Sequence, residues 1–216
     1  MKQYKAYIFD FDGVIKESVR VKSDAFVQLY EAEGADFQKR VESYHLTNGG
    51  VSRYEKFKVW NKWLNRSTSE TAIEELAQKF SDLVVDNVVA SPFIKGAELA
   101  IEMAYKSALT FIATGTPDQE ILPILDRLEL NSSFTEVHGS SRKKPVITKD
   151  ILTRFNLDTS EVLFIGDAQT DYHAALECEV DFYLRETDYN SLWFNGKSGI
   201  TYKHDDLIDL TKIISK

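Results

Sequence analysis

Short apolar runs that stop abruptly at small or acidic residues, with longer helical stretches between them, constrain this chain more than any other feature. Residues 6–9 (AYIF) end at Asp10-Phe11-Asp12-Gly13, residues 108–113 end at Thr114-Gly115, and residues 162–165 end at Gly166-Asp167. Weaker runs lie at 134–137 and 180–184. Runs that are apolar throughout, rather than alternating, suit strands buried on both faces of a parallel sheet. Helical periods fill the gaps at 96–106, 117–130, 145–155 and 170–178, with Pro117 and Pro145 placed where a helix tolerates proline in its first turn. This βαβ alternation predicts a doubly wound, Rossmann-like α/β domain.

Residues from about 18 to 86 break the rhythm. They hold no convincing strand, yet helical spacing recurs at Val27 and Tyr30, at Phe57, Trp60 and Leu64, and at Ile73, Leu76, Phe80 and Leu83. The turn Thr47-Asn48-Gly49-Gly50 separates two of these helices. A crossover needs only about a dozen residues, helix included. The excess therefore reads as an inserted helical subdomain of residues 17–86, within a core of residues 1–16 and 87–216. The length of 216 residues fits one core plus an insertion.

Composition excludes several classes. A net charge of −8 argues against nucleic acid and anionic membranes as partners, without excluding a local basic site. One cysteine, Cys178, rules out an intrachain disulfide and a cysteine-based zinc cluster. No run approaches the ~18 apolar residues of a membrane span. Asp10 and Asp12 follow the first apolar run too soon for a secretory signal, so a cytoplasmic location is expected. His45, His138, His173 and His204 show no metal-ligand spacing.

The acidic residues are the chemical signal. Asp10 and Asp12 stand at the carboxyl end of the first strand, the edge where α/β sheets bind ligands. Thr114 ends a second strand at that edge, and Gly166-Asp167 ends another, with Asp171 four residues on. Arg142-Lys143-Lys144-Pro145 precedes a helix nearby. Any one of these residues alone is more often a turn, cap or surface residue; together they predict a site. Carboxylates converging on one pocket repel one another unless cations compensate. A hard divalent ion with oxygen ligands, plus a lysine, meets that need.

Asp10-Phe11-Asp12-Gly13-Val14, Thr114, Lys144-Pro145 and Gly166-Asp167-Ala168-Gln169-Thr170-Asp171 resemble the four ordered motifs of the haloacid dehalogenase (HAD) superfamily. Nearly the whole chain is covered, and the likeness is greatest to the branch of phosphoglycolate phosphatases and β-phosphoglucomutases with a helical cap after the first motif. The resemblance implies a phosphatase acting on a small phosphorylated metabolite, such as a sugar phosphate or phosphoglycolate, as a monomer or weak homodimer. It implies Asp10 as the nucleophile forming an aspartyl-phosphate and Asp12 as general acid and base. It further implies Mg2+ held by the Asp10 carboxylate, the Asp12 backbone carbonyl and Asp167, with Asp171 bracing the metal shell or the lysine. Thr114, Gly115 and Lys144 would bind the phosphoryl group. Lys144 is chosen over Lys143 because it directly precedes Pro145. The aspartate two residues after the nucleophile is similar to the phosphatases and mutases and unlike the dehalogenases. Gly115-Thr116 departs from relatives that carry Asn after the motif-two residue.

In the cap, Asn48, Arg53 and Lys56 are the candidate substrate contacts. Arg53 and Lys56, three apart, form either a solvated basic face or a grip for a carboxylate, hydroxyls or a second phosphate. Phe57, Trp60 and Leu64 read as a core stripe, the segment 189–194 as packing against the core edge, and the Asn48-Gly49-Gly50 turn as a loop near the site. Two alternatives stand beside the phosphatase. One is a phosphomutase that returns the phosphoryl group to its substrate. The other is a non-catalytic phospho-acceptor module, which lacks a helical insertion of this length.

Overall fold

The computed structural model describes residues 2–215. Six strands form one sheet: β1 (Ala6–Phe9), β2 (Leu109–Ala113), β3 (Glu136–His138), β4 (Val162–Gly166), β5 (Asp181–Arg185) and β6 (Tyr202–His204). Their order is β3-β2-β1-β4-β5-β6, and every pairing is parallel. Four helices, α1 (Val19–Leu29), α2 (Ala35–Thr47), α3 (Arg53–Trp63) and α4 (Glu70–Ala90), lie between β1 and β2. The remainder are α5 (Ala97–Ser107), α6 (Asp118–Arg127), α7 (Lys144–Arg154), α8 (Gln169–Glu177), α9 (Ser191–Phe194) and α10 (Ile208–Ile214).

The central strands are fully apolar because both faces are covered. Tyr7 and Phe9 join Ile112, Leu163 and Ile165 against α5, α6 and α10, whereas Ala6 and Ile8 join Phe111, Val162 and Phe164 against α7 and α8. This is the doubly wound arrangement that the apolar runs predict. β6 lies outside those runs: Tyr202-Lys203-His204 is short and polar, with no apolar signal to read. The run at 134–137 contributes its last two residues to β3, which is only three residues long and half-buried throughout. Pro145 is in the first turn of α7, while Pro117 sits one position ahead of α6.

The helical insertion has its own aromatic core. Phe26 stacks on Phe80 at 3.9 Å between ring centroids and meets Trp60 edge-on at 4.9 Å. Phe57 and Trp60 are fully buried, as a core stripe requires. Each such ring contributes on the order of 1.5–3 kcal/mol through burial. α4 is started by Ser69, whose hydroxyl accepts from the Ala72 N–H, and it runs four residues past 86, to Ala90.

Two chain crossings join the insertion to the sheet, and they are hydrogen-bonded to each other. The Glu17 N–H donates to the Pro92 carbonyl and the Ile94 N–H to the Ile15 carbonyl, both at 2.9 Å. Lys16 and Phe93 form an antiparallel bridge, with the Lys16 ammonium 4.1 Å from the Phe93 ring. Among the described residues, no helix is long and apolar enough to cross a membrane.

Candidate active site

Strand register brings the acidic residues together. Phe9 pairs with Ile112 on one side and Ile165 on the other, so Asp10, Thr114 and Asp167 leave the sheet along one edge. The Asp10 N–H donates to Ile165 O and the Thr114 N–H to His138 O, which extends the ladder to the first site residues. Gly13 then turns the chain at φ +76°; a Cβ there would strike the Asp167 carboxylate. At the start of α8, the Asp171 carboxylate accepts from the Ala168 N–H at 3.0 Å.

One oxygen from each of Asp10, Asp167 and Asp171 lies within 4.8 Å of the others, and all three residues are buried. Lys144 bridges two of them, at 2.9 Å from Asp10 Oδ2 and 2.5 Å from Asp171 Oδ1. Lys143 is exposed, so the choice between the neighbouring lysines falls on Lys144. Burial, and then the charge of Asp171, raise the Asp10 carboxyl to about 7 against the opposing pull of Lys144. Burial and the charges of Asp10 and Asp171 hold Asp167 well above its ordinary value. Lys144 is raised, because the two carboxylates outweigh its burial. Three carboxylates against one ammonium leave two negative charges uncompensated, the charge of one divalent cation. The donors are hard oxygens, so the cluster could hold a metal ion of the Mg2+ or Ca2+ kind.

Asp12 takes a different direction. Its carboxylate accepts from Lys22 Nζ at 2.5 Å, Ser18 Oγ at 2.6 Å and Thr116 Oγ1 at 3.1 Å. Burial would raise its pKa, but Lys22 and the two hydroxyls hold it below the ordinary carboxylate value. The carboxylate cluster therefore contains Asp171 and lacks the Asp12 side chain. Thr114 is buried, and its hydroxyl accepts from the Thr116 N–H at 3.2 Å.

A cavity of about 150 Å3 lies over Asp10, walled by the sheet edge on one side and by α1, α2 and α3 on the other. The Gly49-Gly50 turn closes it. Thr170 Oγ1 donates to Gly49 O, Gln169 donates to Thr47 O, and a Cβ on Gly115 would meet Gly50 O at 2.9 Å. Backbone thus packs directly on backbone, as the expectation for this turn requires.

The cap candidates separate. Asn48 does not face the cavity: its amide turns back to donate to Tyr44 O and Thr47 Oγ1, closing the end of α2. Arg53 and Lys56 do not form a solvated face, being 4% and 2% exposed. Arg53 forms a bidentate pair with Glu120 of α6 at 2.7 and 2.5 Å, while Lys56 meets His45 Nδ1 at 2.8 Å.

Lys22, His45, Thr116 and Glu120 were not anticipated. Ser18 and Lys22 are four apart, the spacing that puts both on one helical face toward Asp12, and that was the available signal. The segment 189–194 does two jobs. Phe194 packs on Tyr172 and Phe182, and it lines the cavity together with Tyr189 and Trp193, the Tyr189 hydroxyl lying 3.4 Å from Asp167 Oδ2.

The family described as haloacid dehalogenase-like hydrolase matches residues 4–178. The phosphoglycolate phosphatase of Photorhabdus laumondii is 28% identical over 183 residues, covering 81% of this chain and 77% of that protein. The phosphorylated carbohydrates phosphatase of Thermotoga maritima is 26% identical over 188 residues, 82% of each chain. Among solved structures, β-phosphoglucomutase from Clostridium difficile superposes with a TM-score of 0.74 at 17% identity, over 96% of this chain and 93% of that one. That likeness shows a shared fold.

Proposed function

The chain belongs to the haloacid dehalogenase-like hydrolases, and from that premise we propose that it is a Mg2+-dependent phosphatase acting on a small phosphorylated metabolite through an aspartyl-phosphate on Asp10. The observation that carries this reading is the Asp10 carboxylate, buried at a strand end, 2.9 Å from Lys144 and within one oxygen cluster with Asp167 and Asp171. The named activities of the Photorhabdus and Thermotoga relatives agree with it.

Asp10, Asp167 and the backbone at Asp12 would hold the ion, with Asp171 beside them. When bound, the ion would offset negative charge on the phosphoryl oxygens and on the crowded carboxylates. Lys144 helps keep Asp10 ionised, the form that attacks phosphorus in line and displaces the ester oxygen. To act on that leaving oxygen Asp12 first has to gain a proton against the pull of Lys22; it delivers that proton and then takes one from the water that hydrolyses the acyl phosphate. Thr114, the Gly115 backbone and Lys144 bind the transferring oxygens. The α1–α4 insertion acts as a cap, excluding water and reading the rest of the substrate.

A phosphate-release screen over phosphorylated metabolites with Mg2+ tests the activity, and the same assay on Asp10→Asn tests the mechanism. We expect the variant to lose about three orders of magnitude or more while leaving the fold intact. Undiminished turnover would overturn the assignment. Formation of an isomeric sugar phosphate in place of inorganic phosphate would turn the reading to a mutase.

A further inference from the structure

The site carboxylates are not held alike. Asp10 accepts from the Phe11 N–H at 2.7 Å and pairs with Lys144, while Asp171 accepts from the Ala168 N–H and pairs with the same ammonium. Asp12 has Lys22 and two hydroxyls. Asp167 is the exception. It is buried, yet among the described residues no Lys or Arg pairs with it, and its carboxylate accepts one hydrogen bond, from the Tyr189 hydroxyl at 3.4 Å. Arg185, whose charge reaches Asp167, turns instead to Glu17 at 2.7 Å and to the Gly13 carbonyl.

The main chain of Asp167 is held more firmly than its side chain. The Asn190 amide donates to the Asp167 carbonyl at 2.8 Å and to the Arg185 carbonyl at 3.0 Å, and its oxygen accepts from the Thr187 N–H at 2.7 Å. This buried amide thus spends both donor hydrogens and its acceptor inside the protein. Asn190 is anchored in turn. Its carbonyl accepts from the Trp193 and Phe194 N–H groups of α9, and Phe194 is buried against Tyr172 and Phe182. The loop between β5 and α9 therefore fastens Asp167 through Asn190 and sets the Tyr189 phenol beside its carboxylate. At 3.4 Å that contact exceeds the ~3 Å of a fully formed O–H···O bond, so the stronger constraint comes through the backbone.

None of these partners is charged. Asp10 and Asp171 share Lys144, whereas Asp167 keeps its negative charge for an entering cation. A lysine in place of Tyr189 would neutralise that charge and compete with the ion; a phenol and an amide orient the group without doing so. Hydrogen-bonding groups behind a metal ligand typically matter by about 10–100-fold in metal affinity.

We propose that Tyr189 and Asn190 are positioning residues for Asp167, and that through them the β5–α9 loop sets how tightly the site holds a divalent cation. This rests on the assignment of Asp167 as a metal ligand.

The test is Mn2+ binding followed by electron paramagnetic resonance, which counts the free ion without any turnover, with thermal unfolding of the metal-free proteins alongside. Asp167→Asn gives the affinity left without the ligand. Asn190→Ala should weaken binding by about tenfold or more, and Tyr189→Phe by about threefold or more. Asn190→Ala strands two carbonyls, so its unfolding temperature should fall as well. Tyr189→Phe removes one oxygen and keeps the ring, and it decides the matter where the first variant fails to fold. Saturating Mg2+ should also perturb a tyrosine band in the ultraviolet difference spectrum of the wild type, and that band should be missing from Tyr189→Phe. Wild-type affinity in either folded variant, or a tyrosine band that persists in Tyr189→Phe, overturns the proposal and leaves the metal site standing. A wild type that binds Mn2+ no better than Asp167→Asn overturns the metal assignment itself, and the part of the loop with it.

Discussion

Arg53 of the helical insertion and Glu120 of the α/β core meet across the boundary between them, guanidinium to carboxylate, at 2.7 and 2.5 Å. Ser81 of α4 donates to the same carboxylate at 2.6 Å. Breaking a buried pair strands its partner, so Arg53→Met or Glu120→Gln alone should cost about 3–5 kcal/mol, and the double change to apolar residues much less. Burial pushes the Glu120 carboxyl up, but Arg53 more than offsets this and holds it below its ordinary 4.5. A depressed folded-state pKa contributes stability above the unfolded value, and that contribution is lost as pH falls through the folded value. The pair should therefore stabilise fully above about pH 4.5 and fade in more acid solution. Urea unfolding of wild type and Arg53→Met across pH 3–7 checks both statements; parallel curves would contradict them.

Asp10 and Asp167 predict the opposite slope for the metal-free protein. Their pKa values are raised from 3.8, Asp10 to about 7. Such groups contribute stability below 3.8, and it is lost as pH climbs through the folded values. Metal-free protein should lose stability between about pH 4 and 7. Mg2+ should then raise the unfolding temperature more at pH 8 than at pH 5. An equal shift at both values would argue against ion binding at these carboxylates.

Lys22 sets the state of Asp12. With Lys22→Met, the chief force holding the Asp12 carboxyl low disappears and burial prevails. If Asp12 is the general base for hydrolysis of the acyl phosphate, the acid limb of the kcat profile should move up by about 1–3 pH units. A profile that drops in height without moving would assign Lys22 a purely structural part.

Gly115 and Gly50 lie against each other with no room for a side chain. Gly115→Ala would drive a Cβ against Gly50 O, and Gly50→Ala would add both a collision with Thr170 Oγ1 and the strain of φ +72°. Each should raise KM several-fold at a cost of about 1–2 kcal/mol in stability, with Gly50→Ala the more costly. Steady-state kinetics with thermal unfolding reads both, and unaltered KM would show that the turn does not border the substrate.

Much of this was legible in sequence, for identifiable reasons. β1, β2 and β4 are apolar on both faces, so their ends, and with them Asp10, Thr114 and Asp167, could be placed before any coordinates. β6 could not, because an edge strand of Tyr-Lys-His has no apolar run to betray it. Arg53 and Lys56 were visible as a pair but not their burial, since Glu120 lies 67 residues from Arg53 and on a different layer. His45 carried no signal at all: its importance comes from facing Lys56 across two helices, not from any spacing along one.

The paired crossings at Lys16 and Phe93 limit how the molecule can open. Two separate linkers would let the insertion twist, slide and tilt; two linkers laced to each other behave as one ribbon, which bends readily about a single axis. Lifting the insertion about that axis would carry Lys22, Lys56 and the Gly49-Gly50 turn away from Asp10 in one stroke and pull Arg53 off Glu120. Admission of solvent and release of Asp12 from Lys22 are then one event. Closing would restore the wall over Asp10 and the Lys22 contact of Asp12 in the same motion.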